Sequence, residues 1–394
     1  MIIGLVGKPS AGKSTFFKAA TLAEVDIAPY PFTTIKPNHG IGYIRIDCID
    51  KEFNVQCMPN HGFCIEHQRF VPIDLVDVAG LVPGASEGKG LGNKFLDDLR
   101  QADAFIHIVD TSGTTNAEGK MVAEASYNPV EDVIFLEDEL NKWYFNLLVK
   151  ALKSFSRKTE LEDTDFSKSV AKQFSGLKVD ENQVKRVLSK INFSERASNW
   201  NESQLMKFAT ELRNESKPTI IAANKIDTEK GKENYEKIKK AFPGMKIIPC
   251  SADFELALRE AAKSGLIGYI PGDSDFKIIG ELNSGQKKAL ERIKDFLKVH
   301  GNTGIQQILN YAVFSLLNYI AIFPAGATKL ADSKGRILPD CFLLPKGSTA
   351  LDFAYYLHTD FGKNFVKAID ARTKKALGKN YELKNRDALE IITK

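Results

Sequence analysis

The run Gly7-Lys8-Pro9-Ser10-Ala11-Gly12-Lys13-Ser14 has the spacing of a phosphate-binding loop: Gly, four residues, then Gly-Lys-Ser. Gly7 and Gly12 allow a tight turn, so Lys8, Pro9, Ser10, Ala11, Gly12, Lys13, Ser14 and Thr15 can wrap one polyphosphate. The Lys13 ammonium reaches the outer phosphates, and the Ser14 hydroxyl is placed to ligate Mg²⁺. Downstream, Asp77-Val78-Ala79-Gly80 follows an apolar stretch. Asp77 would hold Mg²⁺ through water, and the Gly80 N–H would sense the γ-phosphate. Between them, 25–38 is punctuated by prolines and carries Thr33 and Thr34. Such a segment suits a switch whose Thr closes on Mg²⁺ only beside a triphosphate. Thr34 is the expected ligand and Thr33 the alternative, so Ser14, Thr34 and Asp77 make the metal set. Lys13, Thr34 and Gly80 are the groups expected to act in catalysis.

A fourth group selects the base. In Asn224-Lys225-Ile226-Asp227, the Asp227 carboxylate can accept two hydrogen bonds from guanine's ring N–H and exocyclic amine. Adenine has neither donor there, and the unpaired acceptor discriminates against it by about 10⁴ or more. Asn224 is expected to tie this loop to the phosphate loop, and the Lys225 stem to cover the base. The N–H groups of Ser251 and Ala252 would meet the guanine carbonyl. Enzymes that activate water with a Gln carry it directly after the Gly of the Asp-x-x-Gly motif. Here that residue is Leu81, which cannot orient water, so intrinsic hydrolysis should be slow. Glu87 is the one acidic group nearby, in a loop (81–96) whose glycines predict mobility.

These residues need strands to carry them. Segments 2–6, 42–46, 70–76, 104–110 and 219–223 read as strands, several of them continuous apolar runs suited to a parallel sheet. His107 alternates with apolar neighbours and reads as a satisfied core histidine. The Thr/Gly/Asn-rich turn after it is expected to leave the nucleotide domain. From 132 to 217 the apolar spacing becomes helical, an all-helical insertion. Helical segments over 286–317 read as a connector, and from about Ile320 the pattern returns to strands. The expected architecture is α/β: a P-loop domain with a mainly parallel sheet (1–131 and 218–319), the helical insertion (132–217), and a small ubiquitin-sized α+β module (320–394).

Length (394 residues) accommodates such a division, and 43% hydrophobic with 26% charged content is ordinary for a globular protein. The N-terminus enters a strand at once without a signal-peptide pattern, which predicts a cytosolic protein. The longest apolar run, 312–323, is too short to span a bilayer, so no membrane partner is expected. A net charge of +4 is too mild to predict nucleic-acid binding by itself. Yet 337–394 holds ten basic and seven acidic residues, +3 of that total, which supports an RNA-facing module. No DNA specificity and a monomeric chain are expected. Five cysteines read as reduced thiols. Cys48, Cys57, His61, Cys64 and His67 cluster in sequence, and the last four have spacings zinc accepts. Their irregularity favours incidental thiols in a hairpin over a zinc site.

The chain resembles the YchF-like branch of the Obg superfamily of GTPases. The carriers are 30–34 (Tyr-Pro-Phe-Thr-Thr), 77–85 (Asp-Val-Ala-Gly-Leu-Val-Pro-Gly-Ala), 88–96, and, in the last module, 346–349 and His358-Thr359-Asp360. The resemblance implies a C-terminal TGS domain, slow GTP hydrolysis to GDP with Mg²⁺, and association with ribosomes or RNA (tRNA or rRNA). Bacterial and eukaryotic relatives end the base-reading motif in Glu and favour ATP, whereas Asp227 keeps the guanine pattern of the archaeal branch. Many relatives have, at Ser10, an Asn implicated in potassium binding. This chain departs there, which argues against carrying a K⁺ requirement over.

Overall fold

A computed structural model describes residues 1–22, 39–78, 100–123, 126–159, 166–193, 197–332 and 334–394. Its larger sheet runs β2-β4-β1-β5-β6-β7: β1 (Ile2–Val6), β2 (His39–Asp47), β4 (Gln68–Asp77), β5 (Ala104–Asp110), β6 (Thr219–Asn224) and β7 (Ile247–Cys250). Strands β4, β1, β5, β6 and β7 are parallel, while β2 and the short β3 (Phe63–Ile65) pair antiparallel with β4. All seven residues of β5 are buried, which is why it reads as a mostly apolar run broken only by His107 before its closing Asp110.

The two-residue period sorts side chains between the faces. Ile3, Leu5, Ile106, Ile108, Ile220 and Ala222 share a core with Phe16 and Ala20 of α1 (Lys13–Thr21). Phe105 and Val6 face a second core with α2 (Val130–Thr159), whose Leu136, Leu140, Trp143, Tyr144 and Leu148 form one stripe. That stripe continues onto α3 (Phe166–Gln173), α4 (Glu181–Ile191) and α5 (Glu202–Ser216), through Val170, Val184, Val187, Phe208 and Leu212. Helix α4 begins in the reciprocal hydrogen bonds of Asp180 and Gln183, and α5 in those of Asn201 and Gln204. The helical region therefore grows out of the main sheet's own core through α2.

After β6 come α6 (Gly231–Ala241), α7 (Ala252–Lys263), the short pair β8 (Ile267–Gly268) and β9 (Lys277–Ile278), α8 (Ser284–His300) and α9 (Ile305–Tyr311). The sequence suggested a connector here, and the packing differs. Ile305, Ile308 and Leu309 of α9, with Ala312 and Val313 just after it, belong to the first face of the main sheet, so α9 is core. Helical periodicity reports which side of a helix is apolar and not which core it joins.

The second sheet runs β11-β10-β14-β12-β13: β10 (Tyr319–Pro324), β11 (Phe342–Pro345), β12 (Phe365–Asp370), β13 (Ala376–Leu377) and β14 (Ala388–Thr393). It packs against α10 (Ala350–Leu357), followed by α11 (Thr359–Lys363), around Ile320, Ile322, Leu344, Phe353, Leu383 and Leu389. The two sheets meet at the cysteine-bearing segment between β2 and β4. Met58 and Asn60 donate their N–H groups to the carbonyls of Ile337 and Pro339, both at 2.8 Å. The buried Arg69 guanidinium donates to the carbonyls of Leu338 (3.1 Å) and Pro339 (2.8 Å). Glu52 pairs with Arg372 and Arg386.

Candidate functional site

Every described residue of the candidate site lies at the C-terminal edge of the parallel strands, where α/β sheets place ligands. Strand β1 ends at Val6 and the backbone turns at Gly7, whose φ is 148°. A Cβ there would lie 2.4 Å from the Ile108 carbonyl oxygen. Gly12, at φ 96°, precedes α1, and its Cβ would come 2.3 Å from Asn224 Nδ2. Both positions thus require glycine for backbone and for space.

Lys13 Nζ donates to the carbonyls of Gly7 (3.1 Å) and Lys8 (2.8 Å), which uses two of its three N–H groups inside the loop. Burial lowers its pKa, partly opposed by Asp77. Ser14 Oγ donates to Asp77 Oδ2 at 3.0 Å. Asp77 Oδ1 is buried without a hydrogen-bond partner among the described residues. Burial raises the Asp77 pKa, with Ser14 and Lys13 pulling the other way. An orphaned carboxylate oxygen beside a hydroxyl suits a hard, oxygen-seeking cation, so the residues present fit Mg²⁺. Thr33, Thr34, Gly80, Leu81 and Glu87 lie outside the described residues.

Asn224, at the end of β6, joins three loops. Its Nδ2 donates to the Ala11 carbonyl at 3.0 Å, and its Oδ1 accepts the Ala252 N–H at 3.0 Å. Lys225, at φ 64°, extends over the phosphate loop, its Nζ 3.1 Å from the Ser10 carbonyl and 2.8 Å from Asp110 Oδ2. Burial would raise the Asp110 pKa, but Lys225, Ser112 and Thr115 outweigh it and hold the carboxyl below its usual value. Asp227 follows, with Arg292 Nη2 3.7 Å from its Oδ2. Ser251 caps α7, with its Oγ accepting the Phe254 N–H.

Three placements differ from expectation. The Ser251 N–H is donated to the Thr303 carbonyl (2.9 Å) and the Ala252 N–H to Asn224, so both already have protein acceptors. The Lys8 side chain turns away from the loop mouth, donating to the Thr115 carbonyl at 2.7 Å and pairing with Asp132 at 2.9 Å. Lys8 can contribute only backbone to a phosphate. The polar turn after β5 does not leave the nucleotide domain. It folds beneath the loop, where Gly119 accepts from Ser10 Oγ (3.1 Å) and a Cβ on Gly119 would lie 2.7 Å from that of Pro9. Asp110, Thr115, Gly119 and Arg292 thus join the site unforeseen. Asp110 could have been found, since an Asp closing an apolar strand in such a sheet sits at the ligand edge.

His107 is buried as expected, but its Nδ1 has no partner among the described residues, so it is a core histidine without full satisfaction. Burial, then the Lys13 charge, lowers its pKa from 6.5 to about 3. Below pH 6.5 the unfolded chain binds a proton that the folded chain refuses. Stability therefore falls as pH drops, by about 1.4 kcal/mol per unit until the folded value is reached. In urea unfolding between pH 7.5 and 5.5, His107→Leu is expected to lose about that much less than wild type. Equal pH dependence of the two proteins would refute this.

Known proteins share this arrangement. The family model for the 50S ribosome-binding GTPase matches residues 2–139, that for the YGR210-like Obg-like GTPase G4-motif domain matches 222–326, and the TGS domain model matches 322–393. An uncharacterized GTP-binding protein of Methanocaldococcus jannaschii is 46% identical over 395 residues, covering 100% of this chain and 99% of that one. The ribosome-binding ATPase YchF of Buchnera aphidicola is 30% identical over 379 residues, covering 93% and 86%. The crystal structure of a GTP-binding protein from Pyrococcus horikoshii OT3 superposes with a TM-score of 0.78 at 36% identity, covering both chains fully. With a phosphate loop joined by Asn224 to a base-reading loop and a TGS module at its end, this chain belongs to the YchF-like GTP-binding proteins of the Obg family.

Proposed function

We propose that this protein is a Mg²⁺-dependent GTPase that hydrolyses GTP to GDP and phosphate slowly by itself, and acts in the cytoplasm as a monomeric, ribosome- or RNA-linked switch in translation. The observation that carries the guanine half of this reading is the Asn224 bridge to Ala11. It ties the loop that carries Asp227 to the phosphate loop. Lys13, already in the loop, neutralises charge on the outer phosphates and leaves the protein carbonyls that now hold it. Ser14, and Asp77 through water, would hold Mg²⁺, with Thr34 as the further expected ligand and the Gly80 N–H expected to meet the γ-phosphate itself. The ion, when bound, neutralises charge developing on the phosphates.

The ribosome link draws support from the name of relatives such as the Buchnera ribosome-binding ATPase YchF. Those relatives are named ATPases, and Asp227 is what favours GTP here. Because Leu81 offers no acceptor for water, turnover of the isolated chain is expected far below the enzyme median of about 10 s⁻¹. Single-turnover GTP hydrolysis with and without ribosomes tests this. Acceleration by ribosomes supports the switch, and fast turnover by the isolated chain overturns it. Leu81 also favours a second reading, a nucleotide-gated binding module whose hydrolysis is incidental. That reading predicts GTP-dependent ribosome co-sedimentation without acceleration.

A further inference from the structure

Three of the five cysteines, far from the nucleotide loops in role, converge between β2 and β4. Cys48 Sγ lies 3.6 Å from Cys57 Sγ, and Cys64 Sγ lies 3.8 Å from Asp50 Oδ2. The four ligand atoms of Cys48, Asp50, Cys57 and Cys64 all fall within 4.8 Å of one another. Cys48, Asp50 and Cys57 are buried, Asp50 completely. A tetrahedral ion with metal–sulfur bonds of about 2.3 Å and a metal–oxygen bond of about 2.1 Å has edges of about 3.6–3.8 Å. The two measured separations are edges of that size.

The carboxylate is held for the purpose. His67 Nδ1 lies 2.9 Å from Asp50 Oδ1, and the Cys57 N–H donates to Oδ2 at 3.0 Å. Oδ1 is thereby engaged, and Oδ2 is the oxygen that meets the thiols. A fully buried carboxylate against sulfur costs several kcal/mol unless a cation compensates it. By spacing alone the candidates were Cys57, His61, Cys64 and His67, and their irregularity favoured incidental thiols over zinc. Folding substitutes Cys48 and Asp50, because the turn of 3₁₀ helix at Ile49–Phe53 brings them over the β3–β4 hairpin.

We propose that Cys48, Asp50, Cys57 and Cys64 form a closed, structural zinc site, with His67 as the positioning residue for Asp50. Three soft thiolates and one carboxylate in tetrahedral array select zinc over hard cations, and four protein ligands leave no open position for catalysis. The site lies in the segment on which the C-terminal module docks, since Met58 and Asn60, between two of its ligands, hold the backbone of Ile337 and Pro339. Zinc there fixes the seat of that module independently of the nucleotide.

The test uses the full chain purified under reducing conditions without chelator. Elemental analysis is expected to give about one zinc per chain. After zinc is stripped, one equivalent of cobalt(II) is expected to give tetrahedral d–d bands and thiolate charge-transfer absorption. Cys64→Ser should weaken zinc binding at least tenfold and alter those bands, whereas Cys341→Ser should not. His67→Ala should weaken binding by about 10-fold or more while keeping the bands, as loss of an outer partner does. Limited proteolysis within 325–340 should quicken on zinc removal, with GTP affinity of Cys64→Ser unchanged. A folded chain, by circular dichroism, that binds neither metal stoichiometrically overturns the proposal. So does a Cys48–Cys57 disulfide in the reduced preparation, or a cobalt spectrum indifferent to Cys64→Ser.

Discussion

Asp227→Ala is expected to weaken GTP binding by about 10²–10⁴-fold while leaving ATP binding nearly as it was. Two hydrogen bonds to a carboxylate contribute about 1.5–3 kcal/mol each, so about 3–6 kcal/mol disappears with the side chain. The loop itself should survive, because Asn224 rather than Asp227 bonds it to Ala11 and Ala252. The contact of Asp227 with Arg292 is long, at 3.7 Å, and Arg292 is mostly exposed, so its loss costs little stability. Asp227→Glu should narrow the gap between the nucleotides less severely, by moving the carboxylate out of register. Calorimetric titration with GTP and ATP reads both numbers. A wild type that binds ATP as tightly as GTP, or an Asp227→Ala protein with unchanged preference, would remove the guanine reading.

Lys13→Ala is expected to slow single-turnover GTP hydrolysis by about 10³-fold, the scale on which a cation facing the transferring phosphoryl group acts. The geometry sharpens the expectation. The ammonium sits between the carbonyls of Gly7 and Lys8, placed before any phosphate arrives. Burial also lowers its pKa from the usual 10.5, so the loop without ligand binds its proton less tightly than water would allow. A triphosphate restores that affinity, and binding takes up a proton once pH exceeds the lowered value. GTP affinity of the wild type should therefore begin to decline at lower pH than that of Lys13→Ala, which keeps only the loss caused by ionisation of the guanine ring N–H. Residual hydrolysis above a tenth of wild type, or an identical pH dependence of binding, would show that Lys13 is not the phosphate cation.

The candidate nucleotide site was largely legible in local patterns, because its residues lie in short loops at strand ends. Gly7, Gly12, Lys13 and Ser14 lie within one turn of chain, and Asn224 with Asp227 within another. Strand identity was also legible, since β1, β5 and β6 are almost wholly buried and so are mostly apolar in sequence.

What these patterns do not contain is which distant group meets a given side chain. Lys8 belongs by spacing to the phosphate cradle, and only the arrival of Asp132 and Thr115 turns its side chain away. The N–H groups of Ser251 and Ala252 look available until Thr303 and Asn224 come within reach. Helix α9 has the periodicity of any amphipathic helix, and tertiary packing alone sends it under the main sheet. The cysteines show the same division most plainly. Sequence spacing offered only an irregular set with two histidines and favoured incidental thiols, whereas folding brings Cys48 and Asp50 across a hairpin to Cys57 and Cys64. Sequence order reports reach along the chain. Hydrogen-bond acceptors, buried counter-charges and converging ligands are set by contacts between residues far apart in it, and those exist only once the chain has folded.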